Sequence, residues 1–165
     1  GKVKISYNRD NPEGRAEICL NGVNVESRIR LLDVSASVSP VATLPFVRNF
    51  VDSLLRGYGP LGVVMDGRDI GTAVFPEADL KIFMVADAKI RAQRRVDELV
   101  SKGEKANFDD VYRNVLDRDY IDSHREMNPL RQAEDAVVLD NSYISVDQQM
   151  IWLGWVLKAK FNMEF

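Results

Sequence analysis

The sequence is poor in the residues that build disulfides and zinc sites. Its 165 residues include one cysteine, Cys19, and one histidine, His124. A single cysteine excludes an internal disulfide and is typical of proteins in the reducing cytosol, so we expect a cytoplasmic location. One histidine without a cysteine pair cannot assemble a zinc site of the usual kind.

Long apolar runs and an excess of positive charge are also missing. No apolar run approaches the length of a membrane span, and no signal-peptide pattern opens the printed sequence, which argues against a membrane partner. The net charge is -3, from 22 Lys and Arg against 25 Asp and Glu, which argues against a nucleic-acid partner. Hydrophobic residues make up 45% of the chain, an ordinary share for one globular domain.

The periodicity of the chain predicts an α/β protein with a small antiparallel insert. Residues 3–7 and 16–20 alternate apolar and polar side chains around a turn-rich stretch at 9–14, which predicts a hairpin. Downstream, apolar runs alternate with helical patterns, which favours a parallel sheet flanked by helices. The predicted strands are 63–65, 80–85 and 137–139. The predicted helices are a pair within 26–57, then 88–101 with Asp87 as its N-cap, one from 107 or 109 to 125, and one that begins at a capping box of Ser145 and Gln148.

A charged turn follows the first of these buried strands. Asp66, Arg68 and Asp69 surround Gly67 at the strand's carboxyl end, the edge at which open α/β sheets bind ligands. The planar guanidinium of Arg68 suits phosphate oxygens, which it can meet two at a time. The alternative is an ordinary turn with solvated charges. That alternative explains Gly67 but not a second glycine at Gly71.

Several segments resemble one enzyme family, in the right order. The run 66–72 (Asp-Gly-Arg-Asp-Ile-Gly-Thr), followed by Phe75-Pro76, resembles the signature of the cytidylate kinases, which are P-loop nucleoside monophosphate kinases. The four further matches are Lys81-Ile82-Phe83; the lid, with arginines 91, 94 and 95 and the turn Lys102-Gly103; the segment 118–125; and Pro129-Leu130 with 133–140. Five such motifs in order are specific. The resemblance implies a P-loop NTPase-type fold that transfers the γ-phosphoryl of ATP to CMP or dCMP with Mg²⁺.

The phosphate-binding loop of that family does not occur in the printed sequence. The pattern G-x-x-x-x-G-K-S/T, whose backbone amides and lysine hold ATP phosphates, is missing, and the single Gly-Lys pair is Gly1-Lys2. We therefore expect a chain that lacks the amino-terminal part of the kinase core and is inactive alone. The rival hypotheses are a non-catalytic CMP-binding fragment and, from a different class, an RNA-binding module, which the acidic balance disfavours.

The resemblance also divides the chain into functional parts. Residues 1–25 resemble the hairpin of a CMP-binding insert, and the remainder, 26–165, resembles the kinase core. Within that core we expect CMP-site helices at 26–57 and a lid at about 88–130.

In related kinases the P-loop strand lies between the strand ending at Asp66 and the strand beginning near Leu80. Without it, the two exposed strand edges are expected either to come together or to pair with another molecule. Self-association is therefore one expected outcome.

Three arginines of the helix predicted at 88–101 share one face. Arg91, Arg94 and Arg95 lie at i, i+3 and i+4, where like charges repel by roughly a few tenths of a kcal/mol per pair. An anion between them would remove that cost, whereas the alternative is a solvated face balanced by Asp97 and Glu98. From the residues alone the two interpretations are even. The resemblance favours lid arginines that bind ATP, with Arg94 the leading catalytic candidate.

A second arginine set includes a carboxylate. Arg118, Asp122 and Arg125 fall at i, i+4 and i+7 of the next predicted helix. The plain alternative is a pair of surface salt bridges worth about 0.3–0.5 kcal/mol each. In the functional interpretation Asp122 orients both arginines and accepts a hydrogen bond from a substrate amine or hydroxyl. By resemblance, Arg118 and Asp122 contact CMP and Arg125 is a catalytic residue near the phosphates, while His124 is a solvated neighbour.

The resemblance assigns the remaining site residues. Ser39 and Arg48 match its cytosine-reading positions, where a serine and an arginine can distinguish cytosine from adenine. Without the resemblance Ser39 would be interpreted as a helix N-cap. Arg68 and Asp69 are assigned to CMP binding, with Arg68 also catalytic. Asp66 ends its strand where P-loop proteins place the Walker B carboxylate, so it is expected to hold Mg²⁺, directly or through water.

Overall fold

The computed structural model describes residues 3–8 and 16–163, in a chain that divides into two units, residues 1–48 and 49–165. In the described part of the chain, no helix is both long enough and apolar enough to cross a membrane. The elements are β1 Ile5–Asn8, β2 Glu17–Leu20, β3 Val23–Asn24, α1 Leu32–Ala42, α2 Pro45–Arg56, β4 Ile82–Val85, α3 Ala88–Ser101, α4 Phe108–His124, β5 Val137–Asp140 and α5 Val146–Phe161.

The first unit contains the predicted antiparallel hairpin. β1 pairs with β2, with Ser6 opposite Cys19, and β2 pairs in turn with the short β3. The turn between β2 and β3 is Asn21-Gly22, whose φ angles are 51° and 84°. Asparagine and glycine adopt this left-handed conformation at the least cost, which explains the turn. The turn predicted at 9–14 lies outside the described residues.

The pair of helices predicted within 26–57 is present as α1 and α2. Pro45 begins α2, where a missing amide proton costs nothing, while Pro40 lies inside α1, which continues to Ala42. Ser39 therefore lies within α1 and not at its start. The N-cap interpretation of Ser39 is wrong.

The strand predicted at 63–65 is wrong. In the described part of the chain no strand pairs with these residues, and Val63 is 41% exposed while Val64 is fully exposed. A segment forms a strand only when a neighbour accepts and donates its backbone hydrogen bonds, and none of the described strands does so here. The expectation that this segment and β4 would close together is likewise not met.

A parallel pair of strands, β4 and β5, lies in the second unit. Ile82 lies opposite Val137, and Asn141 N donates to Val85 O at 2.9 Å just beyond the paired residues. Parallel strands need a long crossover, and α3 and α4 supply it. The α/β class is thus confirmed at the level of helices around a two-stranded parallel sheet.

The crossover helices α3 and α4 pack on each other around a small core of Ala92, Leu99 and Val111. Asp87 caps α3 as predicted, since its carboxylate accepts hydrogen bonds from two backbone amides of the first turn. Asn107 caps α4 through the same kind of contact, which decides between the two predicted starts. These caps fix where both arginine-bearing helices begin.

The last helix, α5, begins at the predicted capping box. Ser145 accepts from the backbone amide of Gln148, and the side chain of Gln148 accepts from the backbone amide of Ser145. None of the described side chains of α5 is fully buried, and Ile151 and Trp155 are 57% and 71% exposed.

Candidate functional site

A buried carboxylate, Asp122, lies at the centre of a cluster of arginines in the second unit. Its side chain is 5% exposed and projects from the last turn of α4. Arg68 Nε lies 2.9 Å from Asp122 Oδ2, and Arg118 Nε lies 3.8 Å from the same oxygen. Arg125 Nη1 lies 3.9 Å from Asp122 Oδ1. The structure therefore brings three of the predicted arginines to one predicted aspartate.

A second buried carboxylate, that of Asp69, belongs to the same cluster. Arg125 Nη2 lies 3.6 Å from Asp69 Oδ1, and both side chains are nearly inaccessible to solvent. The residue precedes a single π-helical turn, Ile70–Val74, and its backbone oxygen accepts hydrogen bonds from three amides of that turn. Arg56 of α2 braces the turn by donating to two of its carbonyl oxygens, at 2.7 and 3.3 Å.

The cluster carries three arginines against two aspartates, an excess of one positive charge. The side chains of Arg68 and Arg118 are 43% and 37% exposed, whereas that of Arg125 is 2% exposed. Burial, and then the positive charge of Arg68, lower the pKa of Arg118. Burial and the charge of Arg68 both disfavour the charged form of Arg118. A bound anion would stabilise that charged form. The two accessible guanidinium groups therefore suit a phosphate.

Two residues that sequence analysis did not single out support Arg125. Arg125 Nε donates to the backbone oxygen of Asn128 at 2.8 Å, and Asn128 Nδ2 donates to Asp52 Oδ2 at 2.8 Å. Asp52 is a buried residue of α2. The available signal was the dipeptide Asn128-Pro129, which is typical of turns, but nothing in the sequence connected it to Asp52.

The first of the α3 arginines, Arg91, is engaged by the protein itself. Its Nη1 and Nη2 donate to the two carboxylate oxygens of Asp119 on α4 at 2.9 and 2.6 Å, and its Nε donates to Ala86 O at 3.0 Å. The hydrogen bond to Asp119 raises the pKa of Arg91 although burial opposes it. Arg91 therefore ties α3 to α4 in this structure.

The other two α3 arginines point to different partners. Arg94 Nη2 donates to the backbone oxygens of Asn141 and Ser142, at 2.7 and 3.1 Å, in the segment after β5. Arg95 Nη1 donates to Glu98 Oε2 at 2.7 Å. The three arginines, predicted to share one helix face, therefore each donate to a different partner in this structure.

Asp66, the predicted Mg²⁺ ligand, is exposed at the end of the extended segment before the turn. Among the residues that the structure describes, no group of three or more His, Cys, Asp or Glu side chains could hold a metal ion. Mg²⁺ bound with a nucleotide commonly takes only one or two protein carboxylates and completes its shell with phosphate oxygens and water. One accessible carboxylate fits the protein's share of such a site.

Ser39 and Arg48, the predicted cytosine readers, belong to the first unit. Both are buried, at 6% and 8% exposure. Their role in recognising cytosine stays a prediction. His124 is exposed and stacks on Tyr120 with ring centroids 4.2 Å apart, which fits its interpretation as a solvated neighbour.

Comparisons with known proteins agree with one another. A family model described as Cytidylate kinase matches residues 1–151. Relatives named cytidylate kinase include that of Bacteroides thetaiotaomicron, 54% identical over 92% of this chain and 67% of its own length. The relative from Parabacteroides distasonis is 53% identical over 92% and 66%, and that from Phocaeicola vulgatus 51% identical over 97% and 70%. The chain spans about two thirds of the length of these relatives.

Proposed function

The chain belongs to the cytidylate kinase family, and on that premise we propose that the cluster around Asp122 binds the nucleotide CMP. The family is one of phosphotransferases, and the name cytidylate kinase states the substrate. The observation that carries the proposal is a buried carboxylate facing three guanidinium groups, two of which remain accessible. An excess of positive charge at an accessible site suits a phosphate monoester.

The chemistry assigned to these residues is positioning and neutralisation of charge. Phosphoryl transfer asks little covalent work of a protein, because charge spreads over phosphate oxygens and must be stabilised there. Arg68 meets the phosphate of CMP, while Asp122 orients Arg68 through its Nε at 2.9 Å and attracts Arg118, whose Nε lies 3.8 Å away, by charge alone. A guanidinium held by a buried carboxylate is already oriented before the nucleotide arrives, so less rotamer freedom is lost on binding.

The cytosine would be read by Ser39 and Arg48, with Asp69 as a further CMP ligand. This part of the proposal rests on the family resemblance and on the burial of Ser39 and Arg48. A buried hydroxyl and a buried guanidinium left unmatched by the wrong base would be costly, which would favour cytosine over adenine.

ATP would be bound with Mg²⁺, with Asp66 as a metal ligand and the α3 arginines as part of the lid. Mg²⁺, when bound, supplies charge neutralisation between the phosphates. Arg94 donates to carbonyl oxygens after β5. To reach a transferred phosphoryl it would have to exchange those contacts for phosphate oxygens. Arg91, joined to Asp119 through two hydrogen bonds, would move together with α4.

We further propose that the printed chain binds CMP without turning it over, since it has no P-loop pattern for the ATP phosphates. A coupled ADP-release assay with CMP and Mg·ATP should give no measurable rate. Turnover within the ordinary range of kinases, ~1–100 s⁻¹, would contradict the proposal. A cytoplasmic location also stays a prediction.

Binding is tested by isothermal titration of the chain with CMP and, in parallel, with cytidine. The two ligands differ only in the phosphate, so the proposal predicts tighter binding of CMP by about tenfold or more, as expected for hydrogen bonds to charged groups. Equal affinities would contradict a phosphate site at the cluster. RNA binding with a steep salt dependence would instead favour the RNA-binding hypothesis.

Self-association of the chain is a separate proposal. Val63 and Val64 are exposed in a segment that no strand of the described residues pairs with, and Met84 of β4 is 56% exposed. Unpaired extended backbone and apolar side chains favour pairing with a second copy. Sedimentation should show a concentration-dependent dimer. A Val64→Lys variant should weaken it, and a monomer at all concentrations would contradict the proposal.

A further inference from the structure

Arg125 is held by a chain of hydrogen bonds that begins on α2. Asp52 Oδ2 accepts from Asn128 Nδ2, and the backbone oxygen of Asn128 accepts from Arg125 Nε, each at 2.8 Å. Asp52 is 2% exposed and the side chain of Arg125 is 2% exposed. Buried polar groups in a linked series fix one another's orientation more firmly than a single contact at the surface would.

The far end of Arg125 lies between the two carboxylates of the cluster. Its Nη2 is 3.6 Å from Asp69 Oδ1, and its Nη1 is 3.9 Å from Asp122 Oδ1. A guanidinium with so little exposure is poorly placed to meet a nucleotide directly. Its positive charge lies within ion-pair distance of both Asp69 and Asp122, without a hydrogen bond to either at those distances, and Asp122 in turn meets the accessible Arg68.

We propose that Asp52 and Asn128 are positioning residues, which act through Arg125 on Asp69 and Asp122 and so set the geometry of the nucleotide site. The proposal rests on the function proposed for the cluster. It changes the predicted role of Arg125 from a catalytic residue near the phosphates to the buried support of the two carboxylates.

The conformation of Asn128 supplies variants that isolate the side-chain link. Its φ is 50°, in the left-handed region that glycine, asparagine and aspartate tolerate best. Asn128→Gly keeps this backbone, and with it the carbonyl oxygen that meets Arg125, but removes the contact with Asp52. Asn128→Asp also tolerates the backbone, but it places a second carboxylate against Asp52.

An exchange of the two side chains gives the conservative rescue. The double variant Asp52→Asn with Asn128→Asp restores one amide and one carboxylate, with donor and acceptor reversed. Arg113→Ala is the control, because its ion pair with Asp110 lies on the surface, with side chains 73% and 70% exposed. None of the described contacts joins that pair to the cluster.

The experiment is titration of each variant with CMP at a temperature at which circular dichroism shows it fully folded. Asn128→Gly should weaken CMP binding by about 2- to 10-fold, as expected for one lost hydrogen bond, and Asn128→Asp should weaken it more. The exchanged pair should recover most of the loss, and Arg113→Ala should change nothing. The Nε–Hε NMR resonance of Arg125 should shift in Asn128→Asp and return in the exchanged pair.

Folded Asn128→Gly and Asn128→Asp variants that bind CMP as the unmodified chain does would overturn this inference alone. Should Asn128→Asp fail to fold, the Asn128→Gly result decides. If the unmodified chain does not bind CMP, the proposed function fails, and the link from Asp52 through Asn128 to Arg125 is then tested by NMR alone. The Arg125 resonance separates the two cases, because it follows the hydrogen-bond chain without any nucleotide.

Discussion

The arginines of α3 and the arginines around Asp122 share helical spacing but differ in the acceptors they meet. Arg91, Arg94 and Arg95 each reach a separate acceptor: a carboxylate on α4, carbonyl oxygens after β5, and Glu98. The arginines of the second group converge on one buried carboxylate, which two of them meet from partly exposed positions. Among the described residues of the two groups, the second is the one whose guanidinium groups share a single carboxylate.

The difference shows what spacing leaves undecided. Residues at i, i+3 and i+4 share a helix face, but the neighbours of that face depend on how α3 packs on α4 and on the segment after β5. In the second group, Arg68 comes from a turn some 50 residues earlier in the chain and completes the cluster. The predictions below test whether the two groups differ in energy and in binding as they do in geometry.

The largest effect is expected from removing the buried carboxylate. Asp122→Ala should lower the free energy of unfolding by about 3 kcal/mol, because it removes the counter-charge of a buried guanidinium. Urea unfolding measures the loss. Asp119→Ala, which removes the half-exposed partner of Arg91, is the matched comparison and should cost about 1 kcal/mol. A larger loss for Asp119→Ala would contradict the contrast between the groups.

A coupling energy is expected within the Asp122 cluster. Arg118→Ala and Asp122→Asn should each weaken CMP binding about tenfold, because each removes a charged partner at the site. The double variant should be much less than additive, since the two side chains act as a unit. Isothermal titration gives all four corners of the cycle. Fully additive effects would argue against a shared site.

A smaller and pH-independent effect is expected from Arg91→Ala. The lost pair of hydrogen bonds to Asp119 should cost about 1 kcal/mol of unfolding free energy. The pKa of Arg91 is raised by that hydrogen bond, so its contribution is complete below the ordinary pKa of arginine and fades only as pH rises through the raised value. Urea unfolding should therefore give the same loss at mildly acidic and mildly basic pH. A loss that varies between them would point to another titrating group.

The smallest effect is expected at Glu98, which accepts from Lys102 and Arg95. Those hydrogen bonds lower the pKa of Glu98, so its contribution is present above the ordinary pKa of glutamate and is lost as pH falls through the lowered value. Because the side chain is 42% exposed, Glu98→Gln should cost only about 0.5 kcal/mol at neutral pH. The difference between the two proteins should vanish in acid. A difference that grows in acid would contradict the sign of this shift.

The same contrast shows which elements of the fold could be predicted from the sequence. The caps at Asp87 and Ser145 and the existence of the strands β4 and β5 depend on local patterns, and they were predicted correctly. The strand at 63–65 was not, because its existence depends on a pairing neighbour rather than on its own residues.

The residues of the candidate site also fall into two sets: those that local spacing predicts and those that only folding brings together. Arg118, Asp122 and Arg125 could be found by spacing and by the family resemblance. The support from Asp52 through Asn128 could not, because 76 residues separate the two and only folding brings them together. The reach of Arg94 to the segment after β5 was missed for the same reason, since Asn141 lies 47 residues further along the chain.

The central claim is that the cluster around Asp122, and not the α3 arginines, binds the phosphate of CMP. Titration of the Arg68→Ala and Arg94→Ala variants with CMP and with cytidine tests it most directly. Arg68→Ala should weaken CMP binding by about tenfold or more, as for a lost charged hydrogen bond, and leave cytidine binding unchanged. Arg94→Ala should have a much smaller effect on either ligand. A greater loss of CMP affinity in Arg94→Ala than in Arg68→Ala would contradict the claim.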